Sequence, residues 1–184
     1  MTSLLKVRVR LAIVVMAGAA LTACSTQTPG TADPVATNSP SPSSSQVSNV
    51  FGDLKACELL DKAMASSSNQ GFSPSTPEKA GGSNSCETEK SGYGEIGLSL
   101  HTGLGIKDLK EDPAKVHDGD VNGRPAVQIR DGIGAKGNCE IGMAVGEKNR
   151  AYMAAVLNTG STDEACDFAM SVAKKVEPFL PKGN

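Results

Sequence analysis

Five cysteines, Cys24, Cys57, Cys86, Cys139 and Cys166, constrain this 184-residue chain more than any other feature. What they can become depends on where the chain goes. Lys6, Arg8 and Arg10 form a basic head, Leu11 to Ala20 is an almost uninterrupted apolar run, and Leu21-Thr22-Ala23 precedes Cys24. That order of charge, apolar core and small residues is an export signal over residues 1–23. The apolar run is about 13 residues, where a spanning helix needs roughly 20, so the leader predicts export rather than a permanent transmembrane anchor. An exported chain meets an oxidising compartment. Behind Cys24 an even number of cysteines remains, which predicts two disulfides with three possible pairings. A four-cysteine zinc site or a redox dithiol would call for C-x-x-C spacing, which the sequence lacks.

Leucine three residues before Cys24, then two small residues, resembles the lipobox of bacterial lipoproteins. The resemblance implies diacylation of the Cys24 thiol and cleavage just before it. Two or more acyl chains suffice for stable anchoring where one is marginal. The expected partner of Cys24 is therefore the membrane, and the expected location is the extracytoplasmic face of the cell membrane. Residues 24–49 are dominated by Ser, Thr and Pro, with Asp33 the only charge. Such a segment buries too little apolar surface to offset its ordering entropy, so it reads as a disordered tether. Its reach is roughly 30 Å as a coil and about 75 Å when extended.

Residues 50–184 have the length of one domain. The leader carries three basic residues and no acidic ones, so the remainder is mildly acidic. No basic patch is present, which argues against nucleic acid as a partner. Tryptophan is absent and aromatic residues are few, which removes the usual stacking platforms for sugars and single-stranded nucleic acid.

Periodicity gives the elements. Asp53 is the expected N-cap of a helix to Ala65, with Leu54, Cys57, Leu60 and Met64 on its buried stripe. Ser66 to Ser85 reads as a loop. Cys86 to Lys90 and Tyr93 to Thr102 read as strands around Ser91-Gly92, and Ile96, Leu98 and Leu100 alternate on one face. Lys107 to Val116 holds at most a short helical piece because of Pro113. Asn122-Gly123 is a type I′ turn signal between two strands, and Pro125 demotes the second strand to an edge or displaces its start. Cys139, Ile141, Met143 and Val145 alternate in a further strand, followed by another over Arg150 to Leu157. Ser161 and Glu164 form a capping box that opens a helix to about Glu177, with Cys166, Ala169, Val172, Ala173 and Val176 on its apolar face. Cys139 and Cys166 both point inward, which favours their pairing and leaves Cys57 with Cys86. Each bond closes a loop of nearly thirty residues, worth roughly 3–4 kcal/mol in the chain-entropy model. The expected fold is α+β: an antiparallel sheet of about five to six strands, packed by an N-terminal and a C-terminal helix and stapled by disulfides.

Five groups of residues carry a further resemblance. These are Cys57-Glu58-Leu59-Leu60-Asp61 on a first helix, Cys86 and Cys139 each opening a strand, Gly123-Arg124-Pro125-Ala126 after a hairpin, Cys166-Asp167-Phe168-Ala169 on the last helix, and Leu180-Pro181 at its end. Over Asp53 to Pro181 the chain resembles the actinobacterial lipoprotein family called domain of unknown function 3558. The resemblance implies a cell-envelope lipoprotein and brings no catalytic residues.

Three local patterns bear on chemistry. Asp118-Gly119-Asp120-Val121-Asn122-Gly123 matches the opening of a calcium loop, but the twelfth position holds Ile129 in place of a bidentate glutamate, so a solvated turn is expected. His101 and His117 are the only histidines, and no spacing joins them to Asp118 or Asp120 as a metal set. The serine-hydrolase elbow, the H-E-x-x-H zinc motif and the phosphate loop are all absent. The expectation is thus a lipid-anchored, non-enzymatic binding or accessory module with no cofactor and no metal, its partner an unidentified envelope protein or an apolar ligand. A carrier of a lipid or small apolar ligand would need a deep apolar pocket between sheet and helices. An envelope hydrolase would need a cleft where groups such as His117, Asp118 and Asp120 converge.

Overall fold

The computed structural model describes residues 49–66, 69–109 and 111–182. The expected leader, Cys24 and the tether up to residue 48 lie outside the described residues. Within them the chain runs α1 (Ala56–Met64), β1 (Thr76–Pro77), β2 (Ser85–Lys90), β3 (Gly94–Thr102), β4 (Val116–Val121), β5 (Arg124–Arg130), β6 (Asn138–Ala144), β7 (Asn149–Leu157) and α2 (Thr162–Val176). The strands form one antiparallel sheet in the order β1-β2-β3-β7-β6-β5-β4. The α+β architecture is the expected one, but the sheet has seven strands. The added strand, β1, is a two-residue pairing of Thr76 and Pro77 with Glu87 and Cys86, too short to show alternation in a Ser/Pro loop.

Both helices cover one face. Ile96, Leu98 and Leu100 of β3, Ile141 and Met143 of β6, and Ala151, Met153 and Ala155 of β7 point into the core they share with Leu60 of α1 and Val172 and Val176 of α2. Nearly all of these are closed to solvent, and each large aliphatic side chain so buried contributes about 1.5–3 kcal/mol of transfer free energy. Two covalent staples hold the helices to the sheet: Cys57–Cys86 joins α1 to β2, and Cys139–Cys166 joins β6 to α2.

The helix ends differ in how far they were legible. Ser161 caps α2 with both arms of the capping box formed, Ser161 accepting from the Glu164 amide and Glu164 from the Ser161 amide. The first helix corrects the expectation. It begins at Ala56, not after Asp53, and Lys55 at its N-cap makes no side-chain bond. Its cap comes from elsewhere: Asn84 Oδ1 accepts from the Ala56 amide at 2.9 Å, and Asn84 Nδ2 donates to the Leu54 carbonyl at 2.9 Å. A side chain some thirty positions away satisfies an end that local sequence leaves open. The segment over Lys107 to Val116 is likewise two single 3-10 turns, Ile106–Asp108 and Pro113–Lys115, after which β4 begins.

Pro125 supplies a second correction. The Asn122-Gly123 turn forms as expected, with φ of 52° and 85° at its two residues, the left-handed pair a type I′ turn requires. Yet β5 is not an edge; it lies between β4 and β6, and β4 is the edge. Ala126 pairs with Met143, so one further step of register sets Pro125 opposite Ala144. Proline has no N–H to give that carbonyl. Arg124 Nη1 donates to Ala144 O at 3.0 Å instead. The same guanidinium bonds Glu177 through Nε at 3.0 Å and the carbonyls of Pro181 and Leu180 at 3.0 and 3.3 Å. Arg124 thereby replaces the missing donor and ties down the chain beyond α2.

Candidate functional site

Among the described residues the other face of the sheet carries no α-helix. The connection from β3 to β4 crosses its β5–β6 side. Ile106 and Leu109 lie over Gly142, where a Cβ would come within 2.8 Å of Leu109 Cδ1, so a larger residue there would push the Leu109 side chain aside. The rest of this face mixes polar side chains with small apolar ones. Antiparallel register sets Ser99 beside Tyr152, His101 beside Arg150, and Gly97 beside Ala154; Tyr152 and Ala154 in turn flank Gly142 and Glu140 of β6. Alternation turns these side chains away from the helices.

Between this floor and two flanking segments lies a cleft of about 410 Å³, walled on one side by Glu78, Ala80 and Gly81 and on the other by Asp108, Leu109 and Glu111. The small residues Gly97 and Ala154 make it concave. Tyr152 stands in it with its hydroxyl donating to Glu140 Oε2. Burial and that bond push the phenol well above its ordinary range. Glu140 is almost fully buried. Burial raises its carboxyl above the usual glutamate range, and the Tyr152 hydrogen bond offsets part of that. Burial, then the charge of Arg150, holds the His101 imidazole below its ordinary value, so it is mostly neutral near pH 7. The two rings meet edge to face at 6.1 Å, and the Arg150 guanidinium lies 5.5 Å from the Tyr152 ring.

Among the described residues Ser75 Oγ, Ser85 Oγ and Asn138 Oδ1 are buried without a partner, and Arg150 is the one charged side chain with an atom in that position. It is 9% exposed. Nη1 donates to the Gly105 carbonyl at 2.9 Å, and among the described residues this is the guanidinium's hydrogen bond. Nε is buried without a partner. Asp108 lowers its electrostatic cost from a distance, but its Oδ2 is engaged by the Gly105 amide at 2.7 Å. A buried donor left unpaired costs about 1–3 kcal/mol.

The sequence candidates fall apart on this framework. His101 lies in the cleft. His117, Asp118 and Asp120 sit on the edge strand β4, mostly exposed, with His117 alternating to the face opposite the two aspartates. They do not converge. The calcium-loop pattern is strand plus turn, with Asp120 Oδ1 accepting from the Gly123 amide at 2.8 Å. Among the described residues no cluster of three or more His, Cys, Asp or Glu side chains is placed to hold a metal. No serine or cysteine side chain there hydrogen-bonds a histidine. Arg150, Tyr152 and Glu140 were missed as a site. The signal was present: Glu140 interrupts the apolar run of β6, and Arg150 and Tyr152 alternate against buried Ala151 and Met153. Only the strand order brings the three together.

A second groove, of about 590 Å³, runs past Phe72, Tyr93 and Phe168. Their rings pack on one another at 5.5–5.8 Å, so the aromatic surface is largely spent within the trio. Among the described residues no helix is long and apolar enough to cross a membrane.

A disulfide-stapled antiparallel sheet, with helices on one face and an open cleft on the other, is the class of domain these observations define. The chain belongs to the family described as protein of unknown function (DUF3558), whose model matches residues 19–178. No curated protein and no solved structure matches it.

Proposed function

We propose that this chain is a lipid-anchored lipoprotein of the cell envelope, held at the extracytoplasmic face by acyl chains on Cys24, and that its domain is a non-enzymatic binding module. The anchor rests on the sequence: basic head, short apolar core, small residues, cysteine, then a Ser/Thr/Pro tether. The binding role rests on one observation, the open-face cleft with an under-bonded buried Arg150 on its wall. Folding gains little from burying a guanidinium short of partners; a ligand that supplies the acceptor gives that arrangement a use. The tyrosine hydroxyl is committed to Glu140 and the imidazole has no nucleophile beside it, which favours binding over turnover. The cleft sets charged groups beside apolar surface on the face away from the helices, so this reading takes precedence over a carrier of apolar lipid held between helices and sheet.

The test has two arms. A fatty-acid label enters the full chain and Cys24→Ala abolishes it, with release of the protein from membranes; retention of that variant overturns the anchor. For binding, the full chain is recovered from its envelope, denatured, and the small molecules released are identified by mass spectrometry, beside Gly97→Val. A Cβ at Gly97 meets nothing closer than 3.6 Å, so this variant adds bulk to the cleft floor at a position with room for a side chain. A compound released by the parent and absent from Gly97→Val is expected; identical profiles overturn a binding role for the cleft.

A further inference from the structure

We infer that the open-face cleft binds a small organic monocarboxylate, its carboxylate received by Arg150 and its short hydrocarbon body lodged against Leu109 and Ala154. The inference rests on the proposed binding role of the cleft and names the ligand class. Four features of the site lead to it.

A guanidinium presents parallel N–H donors that match the two oxygens of a carboxylate. Arg150 has spent Nη1 on Gly105 O and its Nε is sealed from solvent, so Nη2 is the unbonded nitrogen left to face the cleft. It makes no ion pair within 4.0 Å among the described residues, where the recorded pairs are Arg124–Glu177 and Arg130–Asp163. Charge balance then chooses the anion. The cleft holds one fixed positive group, while Glu78, Asp108 and Glu111 stand on its walls and His101 is mostly neutral. The walls already carry more negative charge than Arg150 offsets, so each further negative charge on a ligand is opposed, and a monoanion is resisted less than a phosphate dianion. Volume chooses the size: about 410 Å³ lies near the lower end of small-molecule sites. The lining chooses the body, because Ala80, Gly97, Leu109 and Ala154 offer apolar surface and no donors beyond the backbone.

The probe is sodium butyrate, titrated into the 15N-labelled full chain with both disulfides formed, at constant ionic strength in chloride. Sodium phosphate serves as the competing anion. The readouts are the Arg150 Nε–Hε resonance, assigned by its loss in Arg150→Lys, and the titration midpoint of the His101 ring protons. Butyrate shifts the Arg150 resonance saturably and moves the His101 midpoint, because a bound anion changes both the burial and the Arg150 charge that hold it down. Arg150→Lys, which keeps the charge and loses the fork, binds about tenfold more weakly, the loss of one charge-assisted hydrogen bond. Gly97→Val shows no response while its amide spectrum stays dispersed. An unmoved Arg150 resonance overturns the inference, as does an equal response to phosphate, or a Gly97→Val protein that responds like the parent. If butyrate fails while the parent still releases a compound that Gly97→Val does not, the binding module stands and the monocarboxylate falls.

Discussion

Arg124 and Arg150 lie on opposite faces of one sheet, and each keeps its guanidinium almost wholly out of solvent. On the helix-covered side Arg124 uses Nε, Nη1 and Nη2 on a carboxylate and three carbonyls. On the open side Arg150 uses one nitrogen on one carbonyl. The same side chain is thus a finished joint in one region and an unfinished one in the other. Most buried polar groups that serve a fold are bonded, and the other orphans among the described residues, Ser75 Oγ, Ser85 Oγ and Asn138 Oδ1, are neutral. An unfinished group beside a cleft marks surface shaped for something besides stability.

Three perturbations sharpen this contrast. The largest effect is expected on the covered face: Cys139→Ala with Cys166→Ala removes the staple between β6 and α2 and should lower the unfolding free energy by about 3–4 kcal/mol in urea titrations. A loss under about 1 kcal/mol would mean that apolar packing alone fixes α2. Next come the two arginines side by side. Arg124→Met leaves Glu177 and three carbonyls without their donor and should cost about 2–3 kcal/mol, below the figure for a fully buried pair because Glu177 keeps some solvent. Arg150→Met releases only the Gly105 carbonyl and should cost about 1 kcal/mol or less. Equal losses would erase the distinction between the faces. The smallest effect is one of pH. Glu140 has its folded value raised above about 4.5, so between its ordinary and raised values the folded chain holds more protons than the unfolded one. Stability therefore falls as pH rises through that window. Glu140→Gln removes this slope. The stability difference between parent and variant, measured across pH 4–7, should shift toward the variant with rising pH, and a constant difference would place the Glu140 carboxyl outside the buried network.

Legibility divided along the same line. On the covered face the fold was readable residue by residue, because burial imposes periodicity: Ile96-Leu98-Leu100 and Cys139-Ile141-Met143 alternate, and the apolar stripe of α2 places Cys166 toward Cys139. Local chemistry was readable too, in Ser161 with Glu164 and in Asn122-Gly123. What sequence reading lost was non-local. Asn84 caps a helix from across a loop, and Arg124 lends a donor to a strand that Pro125 had seemed to push to an edge. The cleft was lost for the same reason. Its side chains come from β3, β6 and β7, and Tyr152 meets Glu140 only because β7 inserts between β3 and β6. No short window of sequence contains that adjacency.

The partnership of Arg124 with Pro125 has a consequence for how such chains can diverge. Any ordinary residue at position 125 brings its own N–H to the Ala144 carbonyl, and one duty of the arginine lapses. Losing the arginine first, with proline still in place, strands that carbonyl. Substitutions at these neighbouring positions are therefore tolerated in one historical order and penalised in the other, so the pair should be inherited as a unit or relinquished proline first.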